Sequence, residues 1–206
     1  SAAIYTTLAF KGFLDYDKLD KYYCDDGELP GHIDMTVSDA LDLSAGSLGH
    51  GLSVGAGMAL AMRIDAIENR IVVIMGDGEI NEGSIWEAAM FITRENLKNI
   101  TIFIDCNKFQ GYDETSKILT YDRNKNMWLA LGYDVLEIDG HNFYEIETAF
   151  NNKSERPIVI LANTIKGKGV SYMENKLEWH YKSPSLEELR KGLEELEENN
   201  LWEQLL

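Results

Sequence analysis

The stretch Ile71-Val72-Val73-Ile74-Met75-Gly76-Asp77-Gly78-Glu79-Ile80-Asn81-Glu82-Gly83 decides how this chain is read. Its first five residues form an unbroken, largely β-branched apolar run, the mark of a strand buried on both faces of a parallel sheet. An acid between two glycines ends the run. A second run, Ile100-Thr101-Ile102-Phe103-Ile104, leads into Asp105-Cys106-Asn107, about thirty residues after Asp77. Ligands of open parallel sheets sit beyond the carboxyl ends of the strands, so Asp77 and Asn107 can converge. A carboxylate and a carboxamide placed there can grip one divalent cation, and the cation can hold a diphosphate. Mg²⁺ takes a near-octahedral oxygen shell, typically a few protein oxygens completed by phosphate and water. The glycines beside Asp77 allow close backbone approach, and the helix that follows offers its first N–H groups.

Outward from this stretch, strands alternate with helices. Ser84–Glu95 reads as a helix with Ile85, Trp86, Ala88, Ala89 and Ile92 on its apolar face. Residues 125–131 read as a helix, 134–138 as a strand, 143–150 as a helix and 158–162 as a strand. The alternation predicts an α/β fold, a mostly parallel sheet with helices on both faces. Gly46 to Arg63 is a glycine-rich turn entering a helix of small residues, which permits close approach to another backbone. The chain opens in an apolar-periodic segment, Ala2 to Ala9, with no proper helix start, which suggests that a preceding segment is absent from this sequence. Ser185 with Glu188 forms a capping box. It opens an amphipathic helix with Leu186, Leu189, Leu193 and Leu196 on one side. The expected organisation is a single domain over residues 1–206, with 185–206 an acidic C-terminal helix or tail.

Composition narrows the function. The formal net charge is −16, which repels nucleic acid and makes an anionic ligand depend on local neutralisation by a metal and backbone donors. No apolar run approaches the roughly 20 residues that span a bilayer. Two well-separated cysteines, Cys24 and Cys106, and no basic-then-apolar leader point to a reduced, cytoplasmic setting. Taken alone, Gly76-Asp77-Gly78 reads as a turn after a strand. An EF-hand starting at Asp77 fails, because its sixth position is Glu82 and its twelfth Ala88. Gly46-Ser47-Leu48-Gly49-His50-Gly51 has the wrong spacing for a dinucleotide fingerprint, and Lys166-Gly167-Lys168-Gly169 lacks the parts of a phosphate-binding P-loop.

Read together, these segments resemble transketolase, in its thiamine-diphosphate-binding N-terminal half, and above all the short N-terminal subunit of a split, two-chain enzyme. The resemblance rests on Gly46-Ser47-Leu48-Gly49 with Gly51-Leu52-Ser53, and on Gly76-Asp77-Gly78 with Glu82-Gly83 and Glu87-Ala88. It extends through Asp105 to Gln110, Asp139-Gly140-His141, Ala162 to Val170 and Trp179-His180, and covers residues 1 to 190. It implies that Asp77 and Asn107 are side-chain ligands of Mg²⁺ or Ca²⁺ and that Phe109 supplies a backbone carbonyl. It places Gly46, Ser47, Leu48, Gly78, Asn107 and His180 at the cofactor, with His180 also near the substrate, and Glu82 in an inter-subunit network. His50 stands where the family often has glutamine, and Cys106 where many thiamine enzymes have asparagine.

The implied reaction moves a two-carbon ketol unit from a ketose to an aldose, as sugars or sugar phosphates. The family's carbanion-generating glutamate belongs to a pyrimidine-binding half that these residues do not contain. The resemblance therefore implies a partner, the C-terminal transketolase subunit. It further implies a dimer of heterodimers (a heterotetramer) and no catalysis by this chain alone. Two other readings stand beside it: a related ketol transferase, deoxyxylulose-phosphate-synthase-like or specialised for another sugar, and a non-catalytic scaffold. The family's Gly-His pair and an earlier histidine would lie upstream of Ser1.

Overall fold

The structure is a computed structural model and describes residues 1–119 and 124–198. The chain divides into two compact units, Ser1–His50 and Gly51–Leu206.

The first unit is built around α1 (Ala2–Phe10) and a 3-10 turn at Tyr16–Lys21. Its small core joins Tyr5, Ala9, Leu14 and Leu29. Tyr5 is fully buried and keeps its hydroxyl bonded at both ends, donating to the His32 carbonyl at 3.0 Å and accepting from the Asp34 amide at 3.3 Å. A buried phenol needs such partners. The bridge Ile33–Ala45 leads into the Gly46-Ser47-Leu48 loop. A Cβ on Gly46 would collide with His32 Cδ2, so a larger residue there would have to displace the His32 ring. Leu48 is 58% exposed.

The second unit carries a four-stranded sheet of β1 (Ile71–Gly76), β2 (Ile100–Cys106), β3 (Asp134–Asp139) and β4 (Ile158–Asn163), in the order β1-β2-β4-β3 with every pair parallel. In β2, β3 and β4 alternate residues feed two separate cores, as strand geometry requires. Strand β1 departs from its sequence reading as a strand buried on both faces, because only the Val73 and Met75 face enters a core while Val72 and Ile74 are exposed. Val73, Met75, Ile102, Ile104, Val159 and Leu161 face α2 (Gly51–Ile64), α3 (Gly83–Arg94) and α5 (Asn124–Ala130). Ile138, Ile158 and Ile160 face α6 (Phe143–Phe150) through Ala149 and Ile146. The sheet is thus α/β with helices on both faces. Each fully buried Ile or Leu here contributes about 1.5–3 kcal/mol.

Small residues matter where α2 meets the sheet: a Cβ on Gly55 would lie 2.6 Å from Val73 Cγ2. Trp128 on α5 meets Tyr133 edge to face at 5.0 Å, and Tyr133 donates to the Ala89 carbonyl at 3.0 Å, which locks α5 to α3. Two short elements follow the first two strands without a periodic signal in the sequence: a 3-10 turn at Glu79–Asn81, and α4 (Thr115–Ile118). The last helix is α7 (Leu186–Glu198). Its capping box forms as the sequence requires, with the Ser185 amide donating to Glu188 Oε2 at 2.8 Å and the Glu188 amide to Ser185 Oγ at 3.3 Å. The stretch 199–206 of the expected acidic tail lies outside the described residues.

Candidate functional site

The register aligns the carboxyl ends of the strands. Gly76 pairs with Asp105, Cys106 with Asn163 and Asp139 with Asn163, so the residues following each strand emerge along one rim. Asp77 sits there with no solvent exposure. Its amide donates to the Asp105 carbonyl at 3.1 Å, continuing the β1–β2 ladder by one bond. Its carboxylate accepts from the Lys108 amide at 2.7 Å and from the Thr115 hydroxyl at 3.3 Å.

The loop after β2 is shaped to deliver those bonds. Lys108 takes a left-handed conformation, φ 71°, which turns its amide toward Asp77. The loop then closes on itself, with the Gln110 amide on the Asp113 carbonyl at 2.9 Å and the Thr115 amide on the Lys108 carbonyl at 2.9 Å. Asn107 is oriented from both ends. Its Nδ2 donates to Asp105 Oδ2 at 3.0 Å, and its Oδ1 accepts from the Phe109 amide at 2.9 Å. A carbonyl oxygen has a second lone pair, so Oδ1 keeps capacity for a cation. Asp105 is held in turn by the Thr164 hydroxyl.

Burial pushes the Asp77 carboxyl up to about 6, against the pull of the Lys108 and Thr115 hydrogen bonds, with the neighbouring Asp105 charge adding to the rise. None of the ion pairs among the described residues includes Asp77. A buried carboxylate in this state lacks a counter-charge, which a bound cation can supply. The donors at hand are a carboxylate, a carboxamide and a backbone carbonyl, a hard oxygen set that suits Mg²⁺ or Ca²⁺. Among the described residues, no group of three or more His, Cys, Asp or Glu side chains is arranged to hold a metal ion, so this donor set has one carboxylate and depends on amide and backbone oxygens. Two buried amide donors find no acceptor among the described residues: Asn81 Nδ2 in the turn after Asp77 and Gln110 Nε2 in the loop after β2. The Gln110 side chain lies over Gly78, where a Cβ would come 2.8 Å from Gln110 Cγ. Unpaired buried donors beside a glycine turn suit a phosphate-bearing ligand.

His180 ends the 3-10 helix Leu177–His180 and rests on the same loop. A Cβ on Gly111 would stand 2.5 Å from Tyr181 Oη and 3.7 Å from His180 Nε2. Partial burial, helped by the positive charge of Lys166, holds the imidazole below its usual value and so neutral at pH 7. Asp77, Gly78, Asn107, Phe109 and His180 thus fall within one unit, on one loop system at the strand ends. Gly46, Ser47 and Leu48 belong to the other unit. His141 has a structural part, its Nε2 accepting the Ile165 amide at 2.7 Å. Glu82 is exposed at the start of α3. Reasoning from the sequence missed the Lys108 amide, Thr115, Thr164 and Gln110. The run of polar residues after β2 was the available signal, but partners of a buried acid have no fixed spacing.

Residues 1–195 match the family described as "Transketolase, thiamine diphosphate binding domain", a match that spans both compact units. The chain belongs to the transketolase family. Its members are transferases, and this chain carries their cofactor-binding domain. It is 41% identical over 198 residues to the 6-deoxy-6-sulfo-D-fructose transketolase subunit SqwG of Clostridium sp. (strain MSTE9), covering 95% of this chain and 72% of that one. It is 37% identical over 199 residues to one of the subunits of the apulose-4-phosphate transketolase of Phocaeicola vulgatus, covering 95% and 70%. Against whole transketolases it is a part: the Campylobacter jejuni structure superposes with a TM-score of 0.79 at 26% identity over 86% of this chain, but over only 29% of that protein. Among the described residues, no helix is long and apolar enough to cross a membrane.

Proposed function

We propose that this chain holds the diphosphate end of thiamine diphosphate through Mg²⁺ or Ca²⁺. With a separate pyrimidine-binding subunit it would transfer a two-carbon ketol unit from a ketose to an aldose. The buried, uncompensated Asp77 carboxylate supports this reading most strongly, because it is joined by direct hydrogen bonds to the loop that presents Asn107 and Phe109. Asp77, Asn107 Oδ1 and the Phe109 carbonyl are the proposed cation ligands. Gly78 leaves room for the diphosphate beside Gln110. His180, neutral at pH 7, would share a proton with a diphosphate or substrate oxygen, a role that rests on the family resemblance and on its position beside the Gly111 loop. The bound cofactor supplies the nucleophilic carbon and the electron sink for carbon–carbon cleavage. Contacts from Gly46, Ser47 and Leu48 are proposed on the family resemblance alone.

A two-chain assembly is favoured by the relatives named as subunits. Its arrangement as a dimer of heterodimers and its cytoplasmic location are proposed on the family resemblance and the sequence alone. The names of those relatives make 6-deoxy-6-sulfo-D-fructose and apulose-4-phosphate the first sugars to assay, beside the common ketose phosphates. Calorimetry of thiamine diphosphate with Mg²⁺ on the chain assembled with the C-terminal transketolase chain of the same genome tests the reading. Saturable binding that EDTA abolishes is expected. Metal-independent binding, or none in the assembled complex, would overturn the assignment.

A further inference from the structure

An amphipathic helix ordinarily turns its apolar stripe toward the body of the protein. α7 does the reverse. The face it presents to the rest of its unit holds Glu188, Gly192 and Glu195. Tyr172 Oη donates to the Glu188 carbonyl at 2.5 Å. Glu195 accepts from the Ser171 amide at 2.5 Å and from the Ser171 hydroxyl at 2.7 Å. Between them Gly192 is buried, and a Cβ there would lie 2.8 Å from Tyr172 Oη and 3.5 Å from Val170 Cγ1. Lys182 on Glu188 at 2.6 Å and the capping box fix the first turn. These anchors recur at one-turn intervals, so the helix cannot roll to bury its leucines without breaking all of them. Leu186, Leu189 and Leu193 accordingly stay 76%, 45% and 44% exposed.

Spaced i, i+3 and i+7, these leucines make one continuous stripe about two turns long. Such a stripe on a helix held rigidly from its other side is the form in which helices enter apolar grooves of partner chains. Charge selects the occupant. The helix carries six glutamates against Arg190 and Lys191, and the exposed Glu187, Glu194 and Glu197 edge the stripe. A second copy of a chain with net charge −16 would bring like charge to that edge. We propose that the leucine stripe of α7 docks on the partner transketolase subunit, in an apolar groove edged by lysine and arginine. This inference rests on the two-chain reading above and names the surface through which this chain would recognise its partner.

The test measures association of the full chain with the C-terminal transketolase chain of the same genome, by sedimentation at low and at high salt. The double variant Leu189→Asp, Leu193→Asp is expected to weaken binding roughly 100-fold, about tenfold per buried leucine. The pair Glu194→Lys, Glu197→Lys is expected to weaken it about tenfold and to flatten its salt dependence. Both variants should melt within a few degrees of the wild type, because Leu189 and Leu193 are only about half covered and Glu194 and Glu197 are exposed. If the wild-type chain has no affinity for that partner, the two-chain reading itself fails. If the wild type binds and the leucine variant binds equally well, the docking surface is wrong and the two-chain reading stands. A leucine-dependent self-association, or a large fall in melting temperature, also overturns the proposal.

Discussion

The substitution Asp77→Asn separates stability from cofactor binding, and the structure fixes the sign of both effects. The folded-state value of about 6 lies above the ordinary 3.8, so the folded chain holds the Asp77 proton more tightly than the unfolded chain does. The contribution of this group to stability is therefore intact below about pH 3.8, declines as pH rises toward 6, and is gone above that. The gap between the two values corresponds to about 3 kcal/mol of destabilisation at neutral pH in the metal-free chain. An asparagine in the same place carries no charge. Its oxygen can accept the Lys108 amide, and its NH₂ can donate to the Thr115 hydroxyl, which accepts as readily as it donates. In EDTA at pH 7.5, Asp77→Asn should thus be more stable than the wild type by about 1–3 kcal/mol. For a chain of 206 residues that is roughly 2–4 °C of melting temperature per kcal/mol. The difference should shrink as the pH is taken down toward 4. The same variant should lose Mg²⁺-dependent binding of thiamine diphosphate in the assembled complex. Urea unfolding in EDTA at a series of pH values, read by circular dichroism, checks the first half, and calorimetry the second. If Asp77→Asn is less stable than the wild type in EDTA at pH 7.5, the picture of a buried charge awaiting its cation is wrong.

Three further outcomes follow from particular contacts. Gly55→Ala should cost about 1–3 kcal/mol in urea unfolding, since its Cβ would press on Val73 at 2.6 Å, whereas Gly57→Ala, with nothing within 4 Å, should gain up to about 1 kcal/mol from helix propensity. Gly78→Ala should displace the Gln110 side chain and lower cofactor affinity about tenfold by calorimetry with little change in unfolding free energy; an unchanged affinity would remove Gly78 from the site. In an NMR titration His180 should have a midpoint below 6.5, and Lys166→Ala should raise it; a midpoint above 6.5 would contradict the burial that lowers it.

The fold was legible because its strands have so little else they can be. Runs such as Ile71–Met75 and Ile158–Ala162 are too short for buried helices, and each lies between glycine or proline breaks and a helix-period segment, so both read as strands. Their apolarity overstated the burial of Ile71–Met75, where Val72 and Ile74 face outward. Helix α6 shows through its asparagine cap, where Asn142 accepts amides from Tyr144 and Glu145, and α7 through its capping box. The 3-10 turns at Tyr16–Lys21 and Glu79–Asn81 had no comparable signal. Their few residues carry no hydrophobic period, and tertiary contacts alone shape them. The strand order also could not be read. Alternation of strands and helices fixes parallel pairing, yet β4 inserts between β2 and β3 because of which apolar faces fit together, a matter of packing and not of local preference.

At the site, the sequence located the acid and the amide but not what governs them. Asp77 and Asn107 are legible because strand ends are legible. What gives Asp77 its raised proton affinity is the combination of complete burial, two donors from a loop some thirty residues on, and the Asp105 charge. Lys108 illustrates the point. The sequence gives it no role at the site, yet its backbone amide makes the contact with Asp77, from a left-handed conformation uncommon for lysine. The loop therefore stabilises the carboxylate with uncharged donors and leaves its charge unneutralised. A lysine ammonium in that place would have closed the site to a cation. The arrangement seen keeps the local charge negative at neutral pH, at some loss of stability, and a divalent ion is the ligand best able to recover that loss.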